Sequence, residues 1–140
     1  MPKLNFKKVQ LKTLTNERAT YSFCELKEYI DWKVERVYFI QNVQEATGQH
    51  CHFEENEMFV MARGTCTAII DFGNGKEDIE LNGPGDAIVV DNHVWHGFKD
   101  FSEDAMLLAY SSTNYREDRS DYLEDYDEYK KLLHEKRFTA

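Results

Sequence analysis

The chain has 140 residues, which suits one domain with one hydrophobic core. Hydrophobic residues make up 41% of it and charged residues 31%, an ordinary balance for a globular protein. The formal net charge of −9 argues against a nucleic-acid-binding surface, which needs clustered Lys and Arg side chains, but it allows an anionic small ligand that meets local positive groups.

The first forty residues predict three β-strands. Apolar patches over 6–11 and 21–26 indicate edge strands, and residues 16–19 predict the turn between them. Residues 35–40 are rich in β-branched and aromatic side chains, which predicts a central strand. A loop over 42–48 then leads into a strand that contains two histidines.

Short strands follow in close succession, with Gly, Pro and Asn in the turns; they are predicted at 58–62, 65–72, 76–81, 87–90, 96–98 and 106–111. Such even spacing is typical of a β-sandwich or barrel. Further on, aromatic and leucine side chains recur at spacings of three and four, which predicts a C-terminal helix. The sequence thus predicts a single, mainly β domain over 1–140, with a barrel over about 1–113 and a capping helix over about 118–137.

The three cysteines, Cys24, Cys51 and Cys66, form an odd number without the paired spacing of a metal site, which indicates reduced thiols. The first ten residues lack the long apolar stretch of a signal peptide. No apolar run approaches the roughly 20 residues that span a bilayer. We therefore expect a soluble, cytoplasmic protein.

Two histidines, His50 and His52, stand two residues apart, so in a β-strand both imidazoles point to the same face. Cys51 should point to the opposite face and pack in the core. Glu57 follows His52 by five residues, and His96 comes later in the chain. These stretches resemble the two halves of a cupin signature, and the resemblance implies that the three histidines and the glutamate converge on one interior point of a small β-barrel. Imidazoles and a carboxylate suit Fe, Mn, Ni or Zn, so the same four residues are the predicted ligands if a divalent metal is bound.

Segments spread over nearly the whole chain resemble the cupin sugar-nucleotide 3,4-ketoisomerases, the WxcM-like family; they are 36–40, 48–52, 94–96, 100–102 and 121–127. The resemblance implies a jelly-roll cupin barrel or sandwich with a C-terminal helix. It implies an isomerase that moves the keto group of dTDP-4-keto-6-deoxyglucose from C4 to C3, for sugars of bacterial surface polysaccharides. It also implies a homodimer that exchanges N-terminal strands and requires no cofactor.

The resemblance also implies roles for individual residues. Histidine acid/base chemistry would pass through an enediolate, with His52 as the base and His50 as its partner or the acid. Tyr38 is a candidate donor to the developing oxyanion. Arg18 would meet the pyrophosphate, and Tyr21 or Tyr115 would stack on the thymine. The implied substrate-binding residues are Arg18, Tyr21, Trp95, His96 and Tyr115.

Four positions differ from the family pattern. Thr47 and Phe53 stand where the family usually has cationic residues, Glu57 where it usually has glutamine, and Glu124 where it often has arginine. These differences leave two alternatives open. One is a metal-dependent cupin enzyme that acts on a different substrate through the three-histidine, one-glutamate set. The other is a non-catalytic module that binds a sugar nucleotide without turning it over.

Overall fold

The computed structural model describes residues 3–135. Within them the strands are β1 (Phe6–Gln10), β2 (Lys12–Thr15), β3 (Thr20–Phe23), β4 (Arg36–Gln41), β5 (Cys51–His52), β6 (Glu57–Arg63), β7 (Thr65–Asp71), β8 (Glu77–Asn82), β9 (Asp86–Val90), β10 (Trp95–Lys99), β11 (Met106–Ser111) and β12 (Tyr122–Leu123), and the helix is α1 (Tyr126–His134). The strands predicted from residue 58 to residue 111 are confirmed, with ends that differ by at most one residue.

Two antiparallel sheets form the body of the protein. One has the strand order β1-β9-β6-β11-β4, and the other has the order β10-β7-β8. Side chains from both sheets meet in the main core, among them Phe59, Met61, Ile70, Ile88 and Leu107. Burial of this apolar surface drives the two sheets together. The mainly β class with a C-terminal helix is therefore confirmed.

Two short strand pairs complete the architecture. β5 pairs with β12, with Tyr122 opposite His52. A backbone bridge between His50 and His96 joins this pair to β10. The β2–β3 hairpin pairs only with itself among the described strands, and all of its strand residues are exposed. Its predicted turn is confirmed, because the N–H of Asn16 donates to the carbonyl of Ala19 at 3.0 Å.

The strand predicted to be central, β4, lies instead at the edge of the five-stranded sheet. Its side chains alternate, so that Tyr38 and Ile40 pack against the core while Val37 and Phe39 point outward. Val37 is 49% exposed and Phe39 is 62% exposed. The central position was predicted because β4 has apolar residues on both faces. Within the described chain, however, its outward face is not covered by any other element.

The predicted helix over 118–137 begins later, at Tyr126. Asp125 caps it, because its side chain accepts hydrogen bonds from the N–H groups of Asp127 and Glu128. Before that cap, Tyr122 and Leu123 form a strand, and residues 136–137 lie outside the described range. Between residues 3 and 135, no helix combines the length and apolar character needed to cross a bilayer.

The helix covers one side of the sandwich through an aromatic cluster. Tyr129 is fully buried against Trp95 and Cys51. The ring centroids of Trp95 and Tyr129 are 5.3 Å apart. The hydroxyl of Tyr126 donates to the buried carboxylate of Asp71 at 2.7 Å, which fastens the first turn of α1 to the end of β7. The predicted core packing of Cys51 is confirmed.

Candidate active site

Four side chains meet inside the sandwich, three of them from strands and one from a residue in an isolated β-bridge. One ligand-type atom from each of His50, His52, Glu57 and His96 lies within 4.8 Å of the others. The predicted convergence is confirmed, and strand alternation explains it. His52, Glu57 and His96 are buried on the inward faces of β5, β6 and β10, and the bridge to His96 holds His50 beside them.

Glu57 is the centre of this cluster. Its Oε1 lies 3.1 Å from Nε2 of His52 and 3.3 Å from Nε2 of His96, and its other oxygen accepts the hydroxyl proton of Tyr38. Burial would raise the pKa of this carboxyl, but the hydrogen bonds from the two imidazoles hold it well below its usual range. We therefore expect Glu57 to be an anion within the core.

The pKa values of the two neighbouring imidazoles are shifted in opposite directions. Burial, together with the neighbouring His96 and His52, lowers the pKa of His50 to about 2. Burial would also lower the pKa of His52, but the hydrogen bond to Glu57 and nearby carboxylates raise it above its usual value. The two Nε2 atoms are 3.2 Å apart. A neutral ring therefore stands against a ring that is readily protonated.

Two further carboxylates face the far side of His52. Its Nδ1 lies 3.7 Å from Glu55 and 3.5 Å from Asp121, and it has no partner within hydrogen-bonding geometry. Arg36 donates to Glu55 at 2.9 Å, as does the hydroxyl of Ser111 at 2.7 Å. Glu55 is therefore fixed by its own donors, and its remaining charge favours the protonated form of His52.

Asp121 is held in the same way by backbone groups. Its two oxygens accept the N–H groups of Glu54 at 2.8 Å and Glu55 at 3.1 Å. The backbone oxygen of Asp121 in turn accepts the N–H of Phe53 at 3.1 Å. These bonds tie the chain just before β12 to the loop after β5, so the tail closes one side of the site.

A cavity of about 190 Å³ opens beside the cluster. His50 and His96 form part of its wall, whereas His52 is not among the lining residues. The other lining residues are Tyr38, Ile40, Thr47, Gly48, Phe59, Gly97, Phe98, Arg119 and Tyr122. An adjoining cavity of about 360 Å³ shares two of these tyrosines, and its lining residues are Arg36, Tyr38, Tyr115 and Tyr122.

The predicted substrate-binding residues fall into three groups. His96 lines the first cavity and Tyr115 lines the second. Arg18 and Tyr21 lie on the exposed β2–β3 hairpin and line neither cavity. Trp95 was expected at the pocket wall, and this is corrected: its indole is buried against α1, with its Nε1 donating to Gln49 at 3.1 Å. Neighbouring residues on a strand point to opposite faces, so Trp95 points outward where His96 points inward.

The sequence interpretation missed four residues that surround the site: Arg36, Arg119, Asp121 and Tyr122. The ring of Tyr122 packs on both catalytic candidates, with its centroid 4.8 Å from that of His50 and 4.6 Å from that of His52. The sequence spacing placed Tyr122 in the predicted helix, so this contact was not expected. Only the pairing of β12 with β5 brings the tail to the histidines.

Comparisons with known proteins show which proteins this chain is similar to. The family described as "FdtA: WxcM-like, C-terminal" matches residues 4–134. A TDP-4-oxo-6-deoxy-alpha-D-glucose-3,4-oxoisomerase from Aneurinibacillus thermoaerophilus is 31% identical over 129 residues, which are 91% of each chain.

Solved structures are similar as well. The WlaRB TDP-quinovose 3,4-ketoisomerase from Campylobacter jejuni is 28% identical with a TM-score of 0.79, over 89% of this chain and 96% of that chain. A mutant of the 3,4-ketoisomerase QdtA from Thermoanaerobacterium thermosaccharolyticum, in complex with TDP-4-keto-6-deoxyglucose, is 25% identical with a TM-score of 0.82, over 94% and 95% of the two chains. This likeness confirms the predicted jelly-roll cupin fold class.

Proposed function

Because this chain belongs to the FdtA (WxcM-like, C-terminal) family, we propose that it is a 3,4-ketoisomerase of a TDP-linked 4-keto-6-deoxy sugar. The observation that carries the proposal is the pairing of His50 and His52. One imidazole lies at the wall of a cavity, the other lies among carboxylates, and their Nε2 atoms are 3.2 Å apart.

The reaction moves protons between neighbouring carbons of one sugar. The C4 ketone acidifies the proton on C3, and its removal gives an enediolate. Protonation at C4, with loss of the proton of the C3 hydroxyl, leaves the ketone at C3. Substrate and product are isomers, so no electrons enter or leave. A protein catalyst needs a base at C3, an acid at C4 and a donor that stabilises the oxyanion.

The geometry favours His50, rather than His52, as the group that contacts the sugar. His50 lines the cavity and its lowered pKa keeps it neutral, so it has a lone pair available. Nε2 of His52, which donates to Glu57, lies 3.2 Å from Nε2 of His50, so the two rings titrate as one coupled pair. The anion of Glu57, 3.1 Å from the same Nε2 of His52, offsets the positive charge.

Tyr38 completes the proposed chemistry. It borders both cavities, and its hydroxyl donates to Glu57. Burial and the charge of Glu57 raise its pKa, so it is protonated and can donate. Turning this hydroxyl from Glu57 to the sugar would place a donor at the developing oxyanion.

The two cavities differ in size and suit different parts of a sugar nucleotide. Pockets for drug-sized ligands usually measure at least about 300 Å³, so the cavity of about 190 Å³ beside His50 suits the sugar alone. The adjoining cavity has Tyr115 and Arg36 in its wall. The aromatic ring of Tyr115, 58% exposed, provides a surface on which the thymine can stack.

Incubation of the protein with TDP-4-keto-6-deoxyglucose in D2O, followed by proton NMR, tests this proposal. We expect deuterium at C3 of the recovered substrate and at C4 of a 3-keto product. Tight binding of the sugar nucleotide without any exchange would favour the non-catalytic binding module. Absence of both binding and exchange would exclude this substrate.

The same four inward residues fit a divalent metal, which is a second candidate. The Nδ1 of His96 lies 3.0 Å from the carbonyl of Val94, which can only accept, so Nε2, 3.3 Å from Glu57, is the nitrogen of His96 that would bind an ion. Neighbouring ligand atoms in this group are 3.1–3.3 Å apart, a separation that suits the coordination of one ion. Such an ion would polarise a substrate carbonyl. Calorimetric titration of chelator-treated protein with Zn²⁺ or Ni²⁺ tests the site, and no heat of binding would exclude it.

We further propose that the protein is a homodimer. In the β2–β3 hairpin, Leu14, Tyr21 and Phe23 share one face and are 40–52% exposed. The outward face of β4 exposes Val37 and Phe39. Packing the hairpin of one subunit on the β4 face of its partner would bury both apolar surfaces. The exchange of N-terminal strands that the resemblance implies would also carry Arg18 and its neighbours to the partner subunit.

Replacing Phe39 with glutamate is expected to convert this dimer to a monomer, because the charge would lie within the apolar contact. Light scattering coupled to gel filtration measures the mass. Phe53→Glu is the matched control, since Phe53 is also an exposed aromatic residue but lies outside these two surfaces. A parent protein that elutes as a monomer would contradict the proposal.

A further inference from the structure

Arg119 supplies the positive charge of the cavity beside His50. Among the described residues it is the single lysine or arginine in the wall of that cavity. Its guanidinium lies 4.1 Å from the centre of the Tyr122 ring. Its Nε donates to Oε1 of Glu124 at 3.0 Å, and its Nη2 donates to the same oxygen. Arginine has five N–H donors, so this ion pair uses two of them.

We propose that Arg119 binds the diphosphate of the nucleotide sugar, and that Glu124 is a counter-ion which the diphosphate displaces. The inference rests on the proposed function for its ligand. A planar guanidinium matches the oxygens of a phosphate and binds them through paired hydrogen bonds. Glu124 holds this group at the cavity while no anion is bound.

The local charges require such a group. The site contains the buried carboxylates of Glu55, Glu57 and Asp121, and the whole chain has a net charge of −9. A diphosphate that approaches the cavity therefore meets repulsion unless a cation stands at its wall. Thr47 and Phe53, where the family usually has cations, provide none.

The other arginines near the site are placed differently. Arg36 is only 19% exposed in its side chain and donates to the buried Glu55. Arg116 pairs with Glu54 at 2.6 Å and lines neither cavity. Arg119 differs from Arg36 because its ion pair is exposed, and from Arg116 because it lines the cavity. The side chains of Arg119 and Glu124 are 49% and 57% exposed, and ion pairs in that setting add little to stability.

The ion pair allows the direction of one change in nucleotide affinity to be predicted. If Glu124 competes with the diphosphate for Arg119, then Glu124→Gln should strengthen binding of the nucleotide. If Glu124 merely positions Arg119, the same substitution should weaken binding. In a chain that lacks Arg119, the same substitution should leave nucleotide affinity almost unchanged, whichever role Glu124 has, because its ion-pair partner is absent.

Isothermal titration calorimetry with TDP separates these cases. We expect Arg119→Ala to weaken TDP binding about 10- to 100-fold, as for loss of hydrogen bonds to a charged group. We expect Glu124→Gln to tighten it about 2- to 5-fold, as for release of an exposed ion pair. In Arg119→Ala/Glu124→Gln, the gain from the glutamine should disappear. Arg116→Ala is the control, because it removes a nearby exposed arginine outside the cavity.

Two results would overturn the inference while leaving the proposed function intact: unchanged TDP affinity in Arg119→Ala, or weaker TDP binding in Glu124→Gln. A parent protein with no affinity for TDP would also overturn the inference. Deuterium exchange into TDP-4-keto-6-deoxyglucose by the parent protein shows separately whether the isomerase proposal survives.

Discussion

Replacing His50 with asparagine is expected to slow deuterium exchange at C3 of the keto sugar by about 100- to 10,000-fold, the range for loss of a general acid or base. The substitution removes the imidazole at the cavity wall, whereas His52 keeps its contact with Glu57. Asparagine has a similar polarity, so the fold should persist. Proton NMR in D2O gives the rate, and circular dichroism checks the fold.

His134→Asn is the control for this substitution, because His134 lies at the end of α1 and is exposed. It should exchange at the parent rate. Retention of exchange in His50→Asn would remove His50 from the proton transfer. Exchange that is lost in His52→Asn but kept in His50→Asn would restore the role that the sequence resemblance implies for His52.

Replacing Glu57 with alanine is expected to lower the free energy of unfolding by roughly 3–5 kcal/mol, the cost of removing one partner of a buried ion pair. Tyr38, His52 and His96 all lose their shared acceptor. Urea unfolding, monitored by tryptophan fluorescence, measures the change. An unchanged midpoint and slope would show that the carboxylate does not hold the cluster together.

Glu57→Gln is the matched variant, because it keeps the size of the side chain and one accepting oxygen, whereas the charge is lost and the second oxygen becomes an NH2 donor. We expect a smaller loss of stability at neutral pH than in the alanine variant. The folded pKa of Glu57 lies below its ordinary value of 4.5, so its charge stabilises the fold above that pH and this contribution is lost as the pH falls. The difference between the parent and Glu57→Gln should therefore narrow in acid.

The strands and the histidine cluster could be predicted because their signals are local. Gly, Pro and Asn turns mark strand ends, and the alternation of side chains decides that His50 and His52 share one face. Glu57 and His96 could be added because they open or lie within strands of the same kind. The strands and the shared face of His50 and His52 need no knowledge of strand neighbours, whereas the meeting with Glu57 and His96 was implied by the resemblance to cupins.

The errors concern features that depend on strand partners. Residues 35–40 predicted a central strand, but β4 is at an edge, since strand composition does not specify the neighbours on either side. Tyr122 fits a helical spacing, but pairing with β5 draws it into a strand beside the histidines. Trp95 was expected at the pocket although its neighbour His96 already occupied the inward face.

The sequence by itself determined the mainly β class, the meeting of three histidines with one carboxylate, and the resemblance to sugar-nucleotide ketoisomerases. Only the tertiary structure decided which imidazole lines the cavity, which carboxylates surround the other, and that Arg119 stands at the wall with Glu124 as its partner. The physical reason is that burial and charge contacts depend on residues far apart in the chain, such as His52 and Asp121, which come within 3.5 Å of each other only when the tail folds back onto β5.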